Sequence, residues 1–139
     1  MSAPESYVAL AGRILLSAIY LISGWGKLTD RTGTIQYIES AGLPLPSLAY
    51  LAALICELGG GLAVLVGFKA RFTAAVMCVF TLAAALGFHS NFADPDMTIH
   101  FMKNVAIAGG FLMIVAFGPG TLSIDARATA RGSAEGTFH

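Results

Sequence analysis

Apolar residues gather in four blocks along the chain, each roughly 20 residues long and each interrupted by at most two formal charges. At about 1.5 Å per helical residue, such a block crosses a hydrocarbon core of roughly 30 Å. The pattern predicts helices over about Tyr7–Leu28, Ser47–Phe68, Phe72–His89 and Ile99–Phe117. Pro44 and Pro46 stop any helix ahead of the second block, and Ser47 is placed to cap it. Gly118-Pro119-Gly120 ends the last block. The turn between the second and third blocks, Lys69-Ala70-Arg71, is short enough to force a hairpin. Backbone groups in lipid must be satisfied within each segment, so the blocks are helices and not open strands. The expected fold class is all-α: an integral-membrane antiparallel four-helix bundle, one domain over 1–139. A short interfacial helix is expected around Ile35 to Ser40, and a polar, loosely ordered tail over 121–139.

Each span carries one polar or small stripe at helical spacing. In the first it is Arg13, Ser17, Tyr20, Gly24 and Lys27; in the second, Tyr50, Ala53, Glu57, Gly60 and Gly61. The third gives Ala74, Cys78, Thr81, Ala85 and His89, and the fourth His100, Lys103 and Asn104. Stripes turned inward make a polar bundle interior, with glycines allowing close helix approach.

Glu57 is the most informative of these residues. It sits at the middle of an otherwise uncharged stretch, Leu48 to Phe68. A carboxylate there costs at least roughly 2.5–3.5 kcal/mol to insert, and such a group normally faces the bundle interior and marks a site. In an alternating bundle, Lys27, His89, His100, Lys103 and Asn104 share one membrane side, with Glu57 roughly 15 Å below it. Arg13 enters from the opposite end and is expected to reach toward Glu57. The expectation is a half-buried pocket with Glu57 as its floor. Within it, Glu57, His89, His100 and Lys103 are the candidate catalytic groups. Arg13, Tyr20, Lys27 and Asn104 are the candidate binding groups.

Composition sharpens this. Hydrophobic residues make up 56% of the 139-residue chain and charged residues 12%, about half the share of a soluble domain. A formal net charge of zero gives no pull toward nucleic acid, which is not expected as a partner. Cys56 and Cys78 lie inside apolar spans without metal or dithiol spacing and read as small hydrophobes. No metal ligand set is assigned: His89, His100 and Glu57 lack the usual spacings. Gly24-Trp25-Gly26-Lys27-Leu28 is not a phosphate loop, because Leu28 stands where Ser or Thr is required. The first block has no basic residue before it and ends in GWGK, so it reads as a retained helix and not a cleaved signal. Lys69, Arg71, Arg127 and Arg131 outnumber Lys27, Arg31 and Lys103 on the other side, which places both termini in the cytoplasm.

The segments GRILLSAIYLISGWGKL, ICELGGGLAVLVGFKAR, GFHSNF and HFMKNVAIAGGFL, in that order, resemble the DoxX family of small four-helix membrane proteins. The resemblance runs over about residues 8 to 120 and is carried by Arg13, Lys27, Glu57, His89 and Lys103-Asn104. It implies an inner (plasma) membrane protein with a redox role, since the family takes its name from subunits of thiosulfate:quinone oxidoreductase. Other members are linked to membrane-associated oxidative-stress complexes. A quinone is then the expected cofactor, with no haem, flavin or dithiol signature in the chain. Two functional readings stand: a membrane oxidoreductase holding a quinone-like molecule, and a non-catalytic binding or assembly subunit for a small molecule, metal or protein. The partners expected are the lipid bilayer, a quinone-like or other small molecule, a soluble redox partner and a second copy of the chain.

Overall fold

The computed structural model describes residues 2–135. They form α1 (Ala3–Thr29), α2 (Arg31–Ser40), α3 (Pro46–Val66), α4 (Ala70–Phe88), α5 (Pro95–Phe117) and α6 (Ile124–Glu135), with no strand among the described residues. Four of them, α1, α3, α4 and α5, are long and apolar enough to cross a membrane. In each, no more than 28% of the most apolar stretch is buried within the protein. Leu15, Ile22, Val79 and Leu86 point outward, an apolar belt suited to lipid. The chain is an all-α membrane protein.

The helix ends are set by polar residues outside the apolar blocks. Ser2 and Glu5 form a capping box, the Glu5 carboxylate taking the Ser2 N–H at 2.7 Å, so α1 starts ahead of Tyr7. Asp94 caps α5 at the Asp96 N–H (2.9 Å), and Pro95 fills its first turn, so α5 starts ahead of Ile99. Ser47 does not cap α3; Leu45 stands at that position with φ 52, ahead of Pro46, and gives no side-chain cap. Asp30 joins α1 to α2, donating its N–H to Gly26 and accepting from the Gly33 N–H at 3.0 Å. The short helix expected around Ile35 to Ser40 therefore begins earlier, at Arg31.

The tail requires a correction. In place of a loosely ordered segment there is α6, at least through Glu135, the last described residue. Alanine and arginine at six of its twelve positions favour a helix, and its start is tied down. Asp125 donates its N–H to Gly67 (3.0 Å) and accepts from the Lys69 and Ala70 N–H groups at 2.8 Å, capping α4 from 55 residues away.

α4 and α5 pair along their lengths, and α1 packs on α3. Tyr20, Val64, Met77, Cys78, Phe111 and Ile114 form the centre of the packed core. The stripes predicted for α1 and α4 do face inward: Arg13, Ser17, Tyr20 and Gly24, then Ala74, Cys78, Thr81 and Ala85. That of α5 does not, since Ala108, Phe111 and Ile114 are its buried residues while His100 and Lys103 are exposed. The polar trio lies at the start of α5, near the interface, where water can satisfy it without burial.

Candidate functional site

Glu57 owes its placement to two local features. The first is a break in helical regularity: Ile55–Gly60 winds as a π-helical turn inside α3. Such turns are rare and favour functional sites, because the wider turn re-aims the side chain it carries. The second lies on α1. A Cβ at Gly24 would stand 2.7 Å from Leu58 Cδ2 and 3.2 Å from Glu57 Cβ. Only glycine lets the two backbones approach there, which seats Glu57 7% exposed against α1.

Its partner is Lys27, one turn beyond Gly24. The ammonium lies 2.9 Å from Glu57 Oε2, close in charge but without the alignment of a directed hydrogen bond. Its aligned bond goes instead to Ser23 Oγ at 2.8 Å. Tyr50 Oη donates to the Lys27 carbonyl (3.2 Å), fixing the end of α1 to the start of α3.

Beside the ion pair opens a cleft of about 780 Å³. Its walls are largely apolar, with Ile19, Tyr37, Ile38, Leu43, Phe80 and Phe88 among them. Tyr37 of α2 stacks on Phe88 of α4, ring centres 5.3 Å apart, closing one side. Tyr20 Oη and Thr81 Oγ1 meet at 2.5 Å. Thr81 gives its own proton to the Met77 carbonyl (2.6 Å), so the shared hydrogen comes from Tyr20. His89 also lines the cleft; its Nδ1 is buried without a partner, and its ring stacks on His100 at 5.2 Å.

The candidate residues thus divide. Tyr20, Lys27, Glu57, His89 and Asn104 line the cleft. His100 stands behind His89 and does not line it, and Lys103 is exposed elsewhere on α5. Arg13 does not reach Glu57. It is 1% exposed and donates to the Val64 (3.4 Å), Leu65 (3.0 Å) and Leu122 carbonyls. The C-terminal carbonyls of α3 carry a partial negative charge that suits a cation, and they lie nearer to Arg13 than Glu57 does. Asp30, Thr34 and Tyr37 were missed, because the linker carrying them showed no apolar periodicity. Thr81 was missed as a site residue although it lay on the predicted stripe of α4. No cluster of three or more metal-binding side chains occurs among the described residues.

Burial and the neighbouring His100 hold His89 below the ordinary imidazole value of 6.5. The unfolded chain then binds a proton that the folded one resists, so this contribution is complete above pH 6.5 and is lost as pH falls through it. Unfolding midpoints measured between about pH 7.5 and pH 5 should fall, and fall less in His89→Gln. Equal slopes in the two proteins would remove His89 from the account.

A sequence profile described as DoxX matches residues 8–90. The inner membrane protein YqjF of Escherichia coli (strain K12) is 46% identical over 121 residues, covering 87% of this chain and 92% of that protein. The inner membrane protein YphA of the same strain is 36% identical over 131 residues, covering 90% of this chain and 93% of YphA. A Surfeit locus protein 4 homolog of Schizosaccharomyces pombe (strain 972 / ATCC 24843) is 28% identical over 128 residues, 87% of this chain but 37% of that protein. No solved structure matches. With the profile spanning more than half of the chain and two relatives matching nearly end to end, this protein belongs to the DoxX family.

Proposed function

We propose that this is an inner-membrane protein, both termini in the cytoplasm, whose cleft holds a quinone-like molecule and takes part in its oxidation and reduction. The observation that carries the reading is a largely apolar cleft of about 780 Å³ with an ion pair, Lys27–Glu57, at its wall. That volume lies in the usual range of small-molecule sites, which combine apolar walls with a few placed polar groups. The donor set suits a quinone head: the Lys27 ammonium, the Asn104 amide and the imidazole of His89, whose Nδ1 is a buried polar atom in want of a partner. Tyr37 and Phe88 offer aromatic surface to a flat ring.

When bound, a quinone supplies reversible uptake of electrons and protons. The chain's own residues bind and position it. Lys27 donates toward a carbonyl oxygen. Glu57, which lines the cleft beside that ammonium, would hold or release the accompanying proton at its carboxylate. The apolar walls limit water around the head. Electrons come from a soluble redox partner.

Binding of a short-chain quinone to the purified protein in lipid nanodiscs tests this. Glu57→Gln should weaken binding about tenfold, or about 1.4 kcal/mol, whereas Lys103→Ala, outside the cleft, should leave it unchanged. Absence of binding by the wild type, or equal loss in both variants, would sink the reading. Binding without electron transfer from any donor would favour the non-catalytic subunit instead.

A further inference from the structure

We infer a second ligand site, away from the cleft, that takes an anionic phospholipid with one acyl chain laid in a groove between α3 and α4. The groove has a volume of about 300 Å³ and is walled by Ile55, Cys56, Ala63, Phe72, Val76 and Met77. Its α3 wall runs from Ile55 to Ala63, about 12 Å, close to the roughly 15 Å hydrocarbon depth of one leaflet. The floor is open because Gly59 has no side chain there; a Cβ added to it would meet nothing within 4 Å. The π-helical turn and the adjacent glycines thus do two things, aiming Glu57 inward and leaving a trough on the outer face.

One end of the groove is charged. Lys69 lies in its lining, exposed, with its ammonium 5.9 Å from the Phe68 ring and no ion pair among the described residues. The same end of the protein carries Arg127 and Arg131 one turn apart on α6, both exposed, while Arg71 at the start of α4 turns to α5 and donates to the Val115 carbonyl at 3.2 Å. Asp125 ties the start of α6, the helix that carries Arg127 and Arg131, to the Lys69 corner through the Lys69 and Ala70 N–H groups. Two acids near this end are committed locally: Asp125 to that cap, and Glu5 to its box with Ser2. An exposed lysine in the lining of an apolar trough, with two further exposed cations on the same end of the protein, is complementary to a phosphate head with a tail. Cations near a membrane surface attract anionic lipids. A zwitterionic lipid would satisfy the trough but not the charges, and a second copy of this chain would bring the same positive end against itself.

Native mass spectrometry of the purified protein, titrated with phosphatidylglycerol or phosphatidylcholine in detergent, tests the site. The wild type should retain phosphatidylglycerol at least about tenfold better. The triple variant Lys69→Gln, Arg127→Gln, Arg131→Gln changes only exposed side chains and should abolish that preference. Gly59→Leu, which fills the trough, should lower retention of both lipids. Equal retention of the two lipids by the wild type would overturn the inference, as would a preference unchanged in the triple variant. So would a dimer that forms at the expense of bound lipid.

Discussion

Gly67→Ala should be among the most damaging single-methyl changes in the protein, costing roughly 3 kcal/mol. Gly67 closes α3 at φ 69, a left-handed conformation that disfavours any L side chain. Strain is the smaller part. A Cβ there would overlap Arg13 Nη1 on one side and Ser123 Cβ on the other. Neither can retreat. Arg13 is held by three carbonyls from α3 and the segment before α6, and Ser123, 4% exposed, donates to the Gly120 carbonyl at 2.6 Å.

The change would pry apart the point where α1, α3, α4 and α6 are joined. Unfolding of the purified protein in mixed micelles measures the effect, with Gly12→Ala as its comparison. Gly12 is exposed in mid-helix and a Cβ there meets nothing within 4 Å, so that substitution should stabilise by about 0.5–1 kcal/mol. If Gly67→Ala proves as harmless as Gly12→Ala, Arg13 is not the fixed centre of this junction.

The same junction shows where sequence patterning stops being informative. Four membrane helices are legible because apolar length and helical period are local properties, and the α1 stripe from Arg13 to Gly24 is buried as its spacing predicts. Arg13's partners are not legible. They are backbone carbonyls, which carry no side-chain signal, and one comes from Leu122, 109 positions away. Depth counting along regular helices placed Glu57 within reach of Arg13. Glu57 instead packs opposite Gly24, 11 positions and roughly 16 Å along α1 from Arg13, an offset between helices that counting along each helix does not contain. Lys27, expected on an upper wall, proves to be the group in contact with the carboxylate. On α5 the charged residues fell on one helical face, but a shared face is not a buried one when it lies within the first turns of a span.

Lys27→Met should cost about 3 kcal/mol, more than Glu57→Gln at about 1 kcal/mol, though both break the same pair. The asymmetry follows from exposure. The side chain of Lys27 is 25% exposed and that of Glu57 9%. Without its carboxylate, the lysine stem can swing its ammonium toward water near the end of α1 and keep its bond to Ser23. Glu57 has no such escape. It is anchored by a short side chain on the π-helical turn, pressed against Gly24, and its only charged contact among the described residues is Lys27. Removing the ammonium leaves a buried carboxylate uncompensated, the costliest way to break an ion pair. The double variant Lys27→Met, Glu57→Gln should then be more stable than Lys27→Met alone, giving a coupling of about 2 kcal/mol in a double-mutant cycle. A cycle that closes with no coupling would mean that the two groups do not depend on each other. The pair would then be an interfacial coincidence, and the cleft would lose the charge that distinguishes it from a gap between helices.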